Sequence, residues 1–164
     1  MGKIIILDPG HGGPDPGASY HGYQEKDFNL QIVEHLLRLV PNSFSTRDAD
    51  EFIPLEERCR IAGELHGELL VSVHCNAAND HEAHGVEAYS GSLTSLPIAK
   101  RAAENIAALG RRNRGARVGP YYILKHTPMP AILIECGFVS NKHEASWIAG
   151  HTLQIAEAIA KTIT

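Results

Sequence analysis

"KIIILDPGHGGPDPGA", residues 3–18, joins four consecutive aliphatic side chains to a loop of glycines and prolines with a histidine near its centre. The apolar run is too short for a helix and is bounded by Pro9 and Gly10, so it predicts a buried strand over 3–8. After the loop, Phe28, Ile32, Leu36 and Val40 recur every four residues, with Val33 and Leu37 beside them. That spacing predicts a helix over 26–40, ended by Pro41.

The same alternation continues to the end of the chain. "SFST" (43–46) is a short strand candidate. Pro54 opens a second helix with Glu56 and Glu57 in its first turn, where the helix dipole favours negative charge, and Gly67 closes it. "ELLVSVHC" (68–75) and "GVEAYS" (85–90) read as strands, 96–109 as a helix with Ile98, Ala102, Ile106 and Leu109 inward. "PYYILK" (120–125) and "PAILIECGF" (130–138) read as two more strands, and 141–148 and 153–163 as helices. Strands alternating with helices predict one α/β domain over 1–164, with a mostly parallel or mixed central sheet and helices on both faces.

Bulk properties narrow the function. The chain has 164 residues, 43% hydrophobic and 21% charged, which suits a single well-packed core. A net charge of -4 offers no overall positive field for a polyanion, which disfavours nucleic acid as the main partner. The apolar run near the start covers only residues 4–7, so the sequence predicts neither a signal peptide nor membrane insertion. Cys59, Cys75 and Cys136 have no CxxC spacing and are expected in the core.

In open α/β sheets reactive groups collect beyond the carboxyl ends of the strands. Here the first strand ends at Asp8 and runs into His11, the strand of 68–75 carries His74 at its end, and Glu135 lies near the end of "PAILIE". Burying such groups is costly without a partner, so three of them predict a shared site. The loop does not cradle phosphate: a dinucleotide fingerprint from Gly10 would need glycine where Asp15 stands, and no Gly-Lys-Ser/Thr sequence follows. A metal fits better. Two imidazoles and a carboxylate form a catalytic zinc set with one position open, and spacing alone leaves Glu25, Asp8, Asp15 and Asp27 as the third ligand. Glu135 could then take a proton from water and return it to a leaving nitrogen, or could simply pair with Arg47 or Arg114.

"ILDPGHGGPDPGA", "EKDFNL", "STRDAD", "LEERCRIA", "VSVHCNAA", "GVEAY", "NRGAR" and "MPAILIECGFVSN" occur in this order from residue 3 to the final helix. In these the chain resembles the zinc-dependent N-acetylmuramoyl-L-alanine amidases of the amidase-3 type, which occur as autolysins, sporulation amidases and phage endolysins. The resemblance implies hydrolysis of the amide between the lactyl group of N-acetylmuramic acid and L-alanine in peptidoglycan. It also implies His11, Glu25 and His74 as ligands of one zinc ion and Glu135 as the catalytic acid/base. Asn76 matches a position near the site, where it is expected either to orient ligand or substrate or to cap a turn. Cys75 and Cys136 depart from the alanine and leucine usual there, and strand alternation turns both thiols away from the site.

Other features have plainer readings. "RRNRGAR" (111–117) is expected as a solvated helix cap, with contact to anionic wall polymers or peptide carboxylates as the lesser reading. His81 and His84 are expected to be exposed, and nothing in the sequence requires His126 at the site. The rival functions are a non-catalytic peptidoglycan-binding module and a zinc hydrolase acting on another wall bond. The expected place of action is the cell wall, reached through lysis or a holin, or as the core of an exported enzyme.

Overall fold

The computed structural model describes residues 2–164. In chain order the elements are β1 (Ile5–Pro9), the short strands β2 (Ser19–Tyr20) and β3 (Tyr23–Gln24), α1 (Glu25–Leu39), β4 (Ser43–Ser45), α2 (Leu55–Glu64) and β5 (Leu69–Asn76). There follow β6 (Val86–Ser90), α3 (Leu96–Ala107), β7 (Asn113–Val118), α4 (Tyr122–His126), β8 (Ala131–Phe138) and α5 (Lys142–Ile163). Six strands form one sheet in the order β4-β1-β5-β8-β6-β7. The first four are mutually parallel, β6 runs antiparallel to β8, and β7 is parallel to β6. The sheet is therefore mixed, with helices on both faces.

Period-two alternation divides the core. Ile5 and Leu7, Val71, Val73 and Cys75, and Ile132, Ile134 and Cys136 pack on one face with α1, α3 and α5. Ile6, Leu70 and Leu133 turn to the other face, against Cys59 and Ala62 of α2 and Ile123 and Leu124 of α4. Each fully buried aliphatic side chain contributes roughly 1.5–3 kcal/mol. The alternation also sends Asp8, His74 and Glu135 to the α2/α4 face, in step with Ile6, Leu70 and Leu133. All three cysteines are buried and free, as expected.

Two expectations are corrected. "PYYILK" is not a strand: its end forms the one-turn helix α4, in which the adjacent residues Ile123 and Leu124 pack into the same cluster on one face of the sheet, whereas neighbours in a strand point to opposite faces. Residues 113–118 of the arginine-rich stretch are not a helix cap but the edge strand β7, paired with β6 through a register shift. The two helices expected at the end are present as two helical stretches of α5, broken at the non-helical His151 (φ -132°, ψ 19°). No helix among the described residues is long and apolar enough to cross a membrane.

Candidate active site

The strand ends bring a row of side chains together. His74 is the register partner of Glu135, and Glu135 is in turn opposite Glu87. Gly10, just past β1, lies beside His74. A Cβ at Gly10 would stand 2.2 Å from His74 Cε1, so the missing side chain is what lets the ring lie across the neighbouring strand.

His11 comes from the loop after β1. Its backbone is in the left-handed region (φ 63°), a conformation that costs a non-glycine residue about 1–3 kcal/mol and persists only where its surroundings fix it. Two buried arginines do the fixing. Arg58 donates to the carbonyls of Pro9, His11 and Ile53 at 2.7 Å each and to Asp8 Oδ1 at 2.8 Å. Arg47 donates to the carbonyls of Pro9 at 3.0 Å and Gly10 at 3.1 Å. Asp8, whose carboxylate also accepts from Thr46 and Ser72 at 2.6 Å, neutralises Arg58. Burial alone would raise the Asp8 pKa, but Arg58 and the two hydroxyls hold it below the ordinary value.

Glu25, the first residue of α1, is buried between the two histidines. Its Oε1 lies 3.2 Å from His11 Nε2 and 2.9 Å from His74 Nδ1, and also accepts from the Cys75 amide at 3.1 Å. Its Oε2 accepts from the Ala18 amide at 2.9 Å. One ligand atom from each of His11, Glu25 and His74 falls within a 4.8 Å cluster. A tetrahedral ion with bonds of ~2.1 Å needs donors ~3.4 Å apart, so this set fits a metal with small adjustment. The far nitrogen of His11, Nδ1, bonds Asp15 Oδ2 at 2.8 Å, the outer hydrogen bond that orients a metal-ligating imidazole. Burial disfavours a charged His11 ring, but Glu25 and Asp15 outweigh it and raise its pKa to about 9. Burial would likewise raise Glu25, yet the hydrogen bonds from both histidines leave its carboxyl far below the usual range.

The geometry thus separates the four carboxylates that spacing left open. Glu25 meets both histidines, Asp8 is turned into Arg58, Asp15 stands behind His11, and Asp27 is exposed.

Glu135 is 8% exposed and its Oε2 has no hydrogen-bond partner. Arg47 and Arg114 are both engaged elsewhere, so the pairing alternative for Glu135 does not occur. Burial pushes its pKa up to about 7; His74 opposes this, and the carboxylates of Glu25 and Glu87 add to it. A carboxyl of that kind can both take up and give back a proton near neutrality. Asn76 lines the same cleft and donates to Glu87 Oε1 at 2.9 Å. His81, His84 and His126 are exposed.

The cleft has a volume of about 620 Å³. Phe52, Leu55, Tyr121 and Tyr122 line it together with His11, His74 and Glu135. Sequence reasoning gave no role to Arg58, and gave Arg47 only a pairing with Glu135. Their partners are backbone carbonyls of the loop at 9–11, which leave no side-chain pattern. Asn29 was also missed: it is fully buried one turn after Glu25 and donates to the Gly10 carbonyl at 3.2 Å.

A family model described as N-acetylmuramoyl-L-alanine amidase matches residues 5–164. The N-acetylmuramoyl-L-alanine amidase LytC of Bacillus subtilis is 34% identical over 155 residues, covering 89% of this chain and 31% of LytC. The endolysin of Bacillus phage SPP1 is 33% identical, covering 97% of this chain and 67% of the endolysin. Among solved structures, the catalytic domain of the amidase CwlV from Bacillus (Paenibacillus) polymyxa superposes with a TM-score of 0.92 at 31% identity, over 99% of this chain and 96% of that one. The amidase AmiC2 of Nostoc punctiforme gives 0.93 at 32% identity, over 98% and 94%. The chain thus spans about a third of LytC but nearly all of two solved amidase chains. With site geometry, fold and sequence in agreement over almost its whole length, this chain belongs to the N-acetylmuramoyl-L-alanine amidase family.

Proposed function

We propose that this protein is a zinc-dependent hydrolase of bacterial peptidoglycan that cleaves the amide between the lactyl group of N-acetylmuramic acid and L-alanine. The observation that carries the reading is the convergence of His11 Nε2, Glu25 Oε1 and His74 Nδ1 beside the unpartnered carboxyl oxygen of Glu135. Two imidazoles and one carboxylate are a donor set suited to zinc, and they leave a coordination position for chemistry. When bound there, the ion supplies Lewis acidity, polarising a carbonyl and acidifying water.

The remaining work falls to the chain itself. Glu135, neighbour to His74 in register, takes the proton of the attacking water and later delivers it to the departing L-alanine nitrogen. Burial raises its pKa above the ordinary glutamate value, which favours both transfers. Arg47 and Arg58 hold the His11 loop, and the apolar walls at Phe52 and Tyr121 shield the amide from bulk water.

The test is mass spectrometry of purified cell walls digested with the zinc-loaded protein. Free lactyl groups on muramic acid together with new N-terminal L-alanine are expected. New termini between two amino acids, or no fragments at all, would refute the assignment.

A further inference from the structure

The reaction leaves the arginines of β7 unused. Arg114 Nε and Arg117 Nη2 converge on one oxygen of one carboxylate, Glu87 Oε2, at 3.2 and 3.0 Å. The other oxygen of Glu87 accepts from Asn76 Nδ2 and from the Tyr89 hydroxyl, at 2.9 Å each. Glu87 has no remaining acceptor site to offer, and one negative charge faces two positive ones.

Arg117 is held in an unusual way for a surface residue. Its guanidinium lies 4.7 Å over the Tyr89 ring, and Nη2 also donates to the Tyr89 hydroxyl at 2.6 Å. Its Nε and Nη1 donate to no group among the described residues, and the side chain is 53% exposed. A long side chain pinned through Nη2 with its other donors free has already lost the rotamer entropy that binding would otherwise remove. Either free N–H can donate one charge-assisted hydrogen bond to a carboxylate oxygen.

Its place relative to the cleft indicates which carboxylate. Tyr89 packs edge-on against Tyr121 at 4.8 Å, and Tyr121 lines the cleft with Glu135. Across the sheet the order is His74 on β5, Glu135 on β8, Glu87 on β6 and then β7. His11, Glu25 and His74 gather on the β5 side of Glu135, so a leaving peptide directed away from them runs toward β6 and β7. Two strand spacings make about 10 Å. An extended peptide covers roughly 3.3–3.6 Å per residue, which brings the second residue within reach of a long side chain on β7.

We propose that Arg117 is a specificity residue that binds a free carboxylate on the second residue of the leaving peptide, an inference that rests on the amidase reading above. Two N-acetylmuramoyl tripeptides serve as the test, differing only in whether the second residue carries a free carboxylate or a carboxamide. The wild type is expected to show a KM about tenfold lower on the carboxylate form, the scale of one charge-assisted hydrogen bond. Arg117→Ala is expected to abolish that preference through KM while kcat stays within about twofold. Arg112→Ala, which removes an exposed charge just before β7, is expected to keep the preference.

Equal KM values for the two substrates in the wild type, or a preference surviving in Arg117→Ala, would overturn the assignment. So would equal losses in the two variants, which would mean diffuse charge. Competition by polyglycerol phosphate that disappears in Arg117→Ala while the peptide preference remains would assign the arginine to a wall polymer and overturn it too. Calorimetric binding of the free tripeptides needs no turnover. If the wild type discriminates between them but cuts neither substrate, the amidase reading fails on its own; if it binds both equally, the Arg117 assignment fails.

Discussion

Gly10 and the ring of His74 share one space: a side chain on the first would begin 2.2 Å from a ring atom of the second. The ring lies against the backbone at the end of the neighbouring strand, and that brings Nδ1 to 2.9 Å from Glu25. Gly10→Ala should therefore push the imidazole out of line. The overpacking is expected to cost about 1–3 kcal/mol in thermal or denaturant unfolding. Zinc affinity, measured by competition with a chelator, should fall by at least about tenfold, since ligand misplacement is added to the strain. An unchanged zinc affinity would show that His74 binds no metal.

The loop carrying His11 depends on Arg58, and Arg58 depends on Asp8. Removing either partner leaves a buried charge unpaired, which costs roughly 3–5 kcal/mol. Asp8→Asn and Arg58→Ala should each lose that much stability. Arg58→Lys keeps the charge but cannot reach the carbonyls of Pro9, His11 and Ile53 together, so zinc affinity should fall even where the fold survives. The folded-state pKa of Asp8 lies below its unfolded value, so the contribution of the pair is complete above about pH 4 and is lost as pH falls through the folded-state value. The unfolding midpoint of the wild type should fall with acid in that range by more than that of Asp8→Asn, in which Glu25 still contributes.

How much of this was legible in the sequence follows from where each partner lies. His11, His74 and Glu135 could be found because each ends or follows an apolar strand, and strand order in an α/β fold gathers those ends. Glu25 could not be separated from Asp8, Asp15 and Asp27 by spacing, because the choice depends on a loop folding back over the β1 end; the family resemblance selected it. The arginine-rich stretch was misread because a strand rich in charge and interrupted by Gly115 looks like a loop. Two of its arginines, Arg114 and Arg117, answer to Glu87, some thirty residues away, and Arg111 to Glu144. "PYYILK" has the β-branched and aromatic content of a strand, and only the packing of Ile123 and Leu124 side by side decides for a helix.

The imidazole of His11 holds its proton to about pH 9 in the metal-free protein, because Glu25 and Asp15 outweigh the effect of burial. A metal must displace that proton. Calorimetry of zinc binding at pH 7 in buffers of different ionisation enthalpy should report proton release, and affinity should weaken as pH is lowered. Asp15→Ala removes one of the two carboxylates and should reduce the protons released at pH 7. If binding heats did not depend on the buffer, His11 would not be a ligand.

Glu135 offers a test that separates its charge from its place in the fold. Its folded-state pKa of about 7 is above the ordinary glutamate value, because a carboxylate buried beside Glu25 and Glu87 is disfavoured despite His74. A raised pKa means that the stabilising contribution of the neutral form is full below the unfolded value, about pH 4, and is lost as pH rises through 7. Glu135→Gln cannot ionise. In the metal-free protein it should match the wild type near pH 4 and be more stable than it at pH 8, by on the order of 3–4 kcal/mol. The same variant should keep its zinc, because Glu135 lies outside the cluster of His11, Glu25 and His74. Its turnover should fall by about 10²–10⁴-fold, the usual loss when a general acid/base is removed. Wild-type kcat/KM should rise with pH as Glu135 becomes able to accept a proton, with a midpoint below that of the metal-free protein because a bound divalent cation favours the carboxylate. Near-normal turnover in Glu135→Gln would move the proton transfer to another group, whereas loss of zinc in this variant would place Glu135 among the ligands.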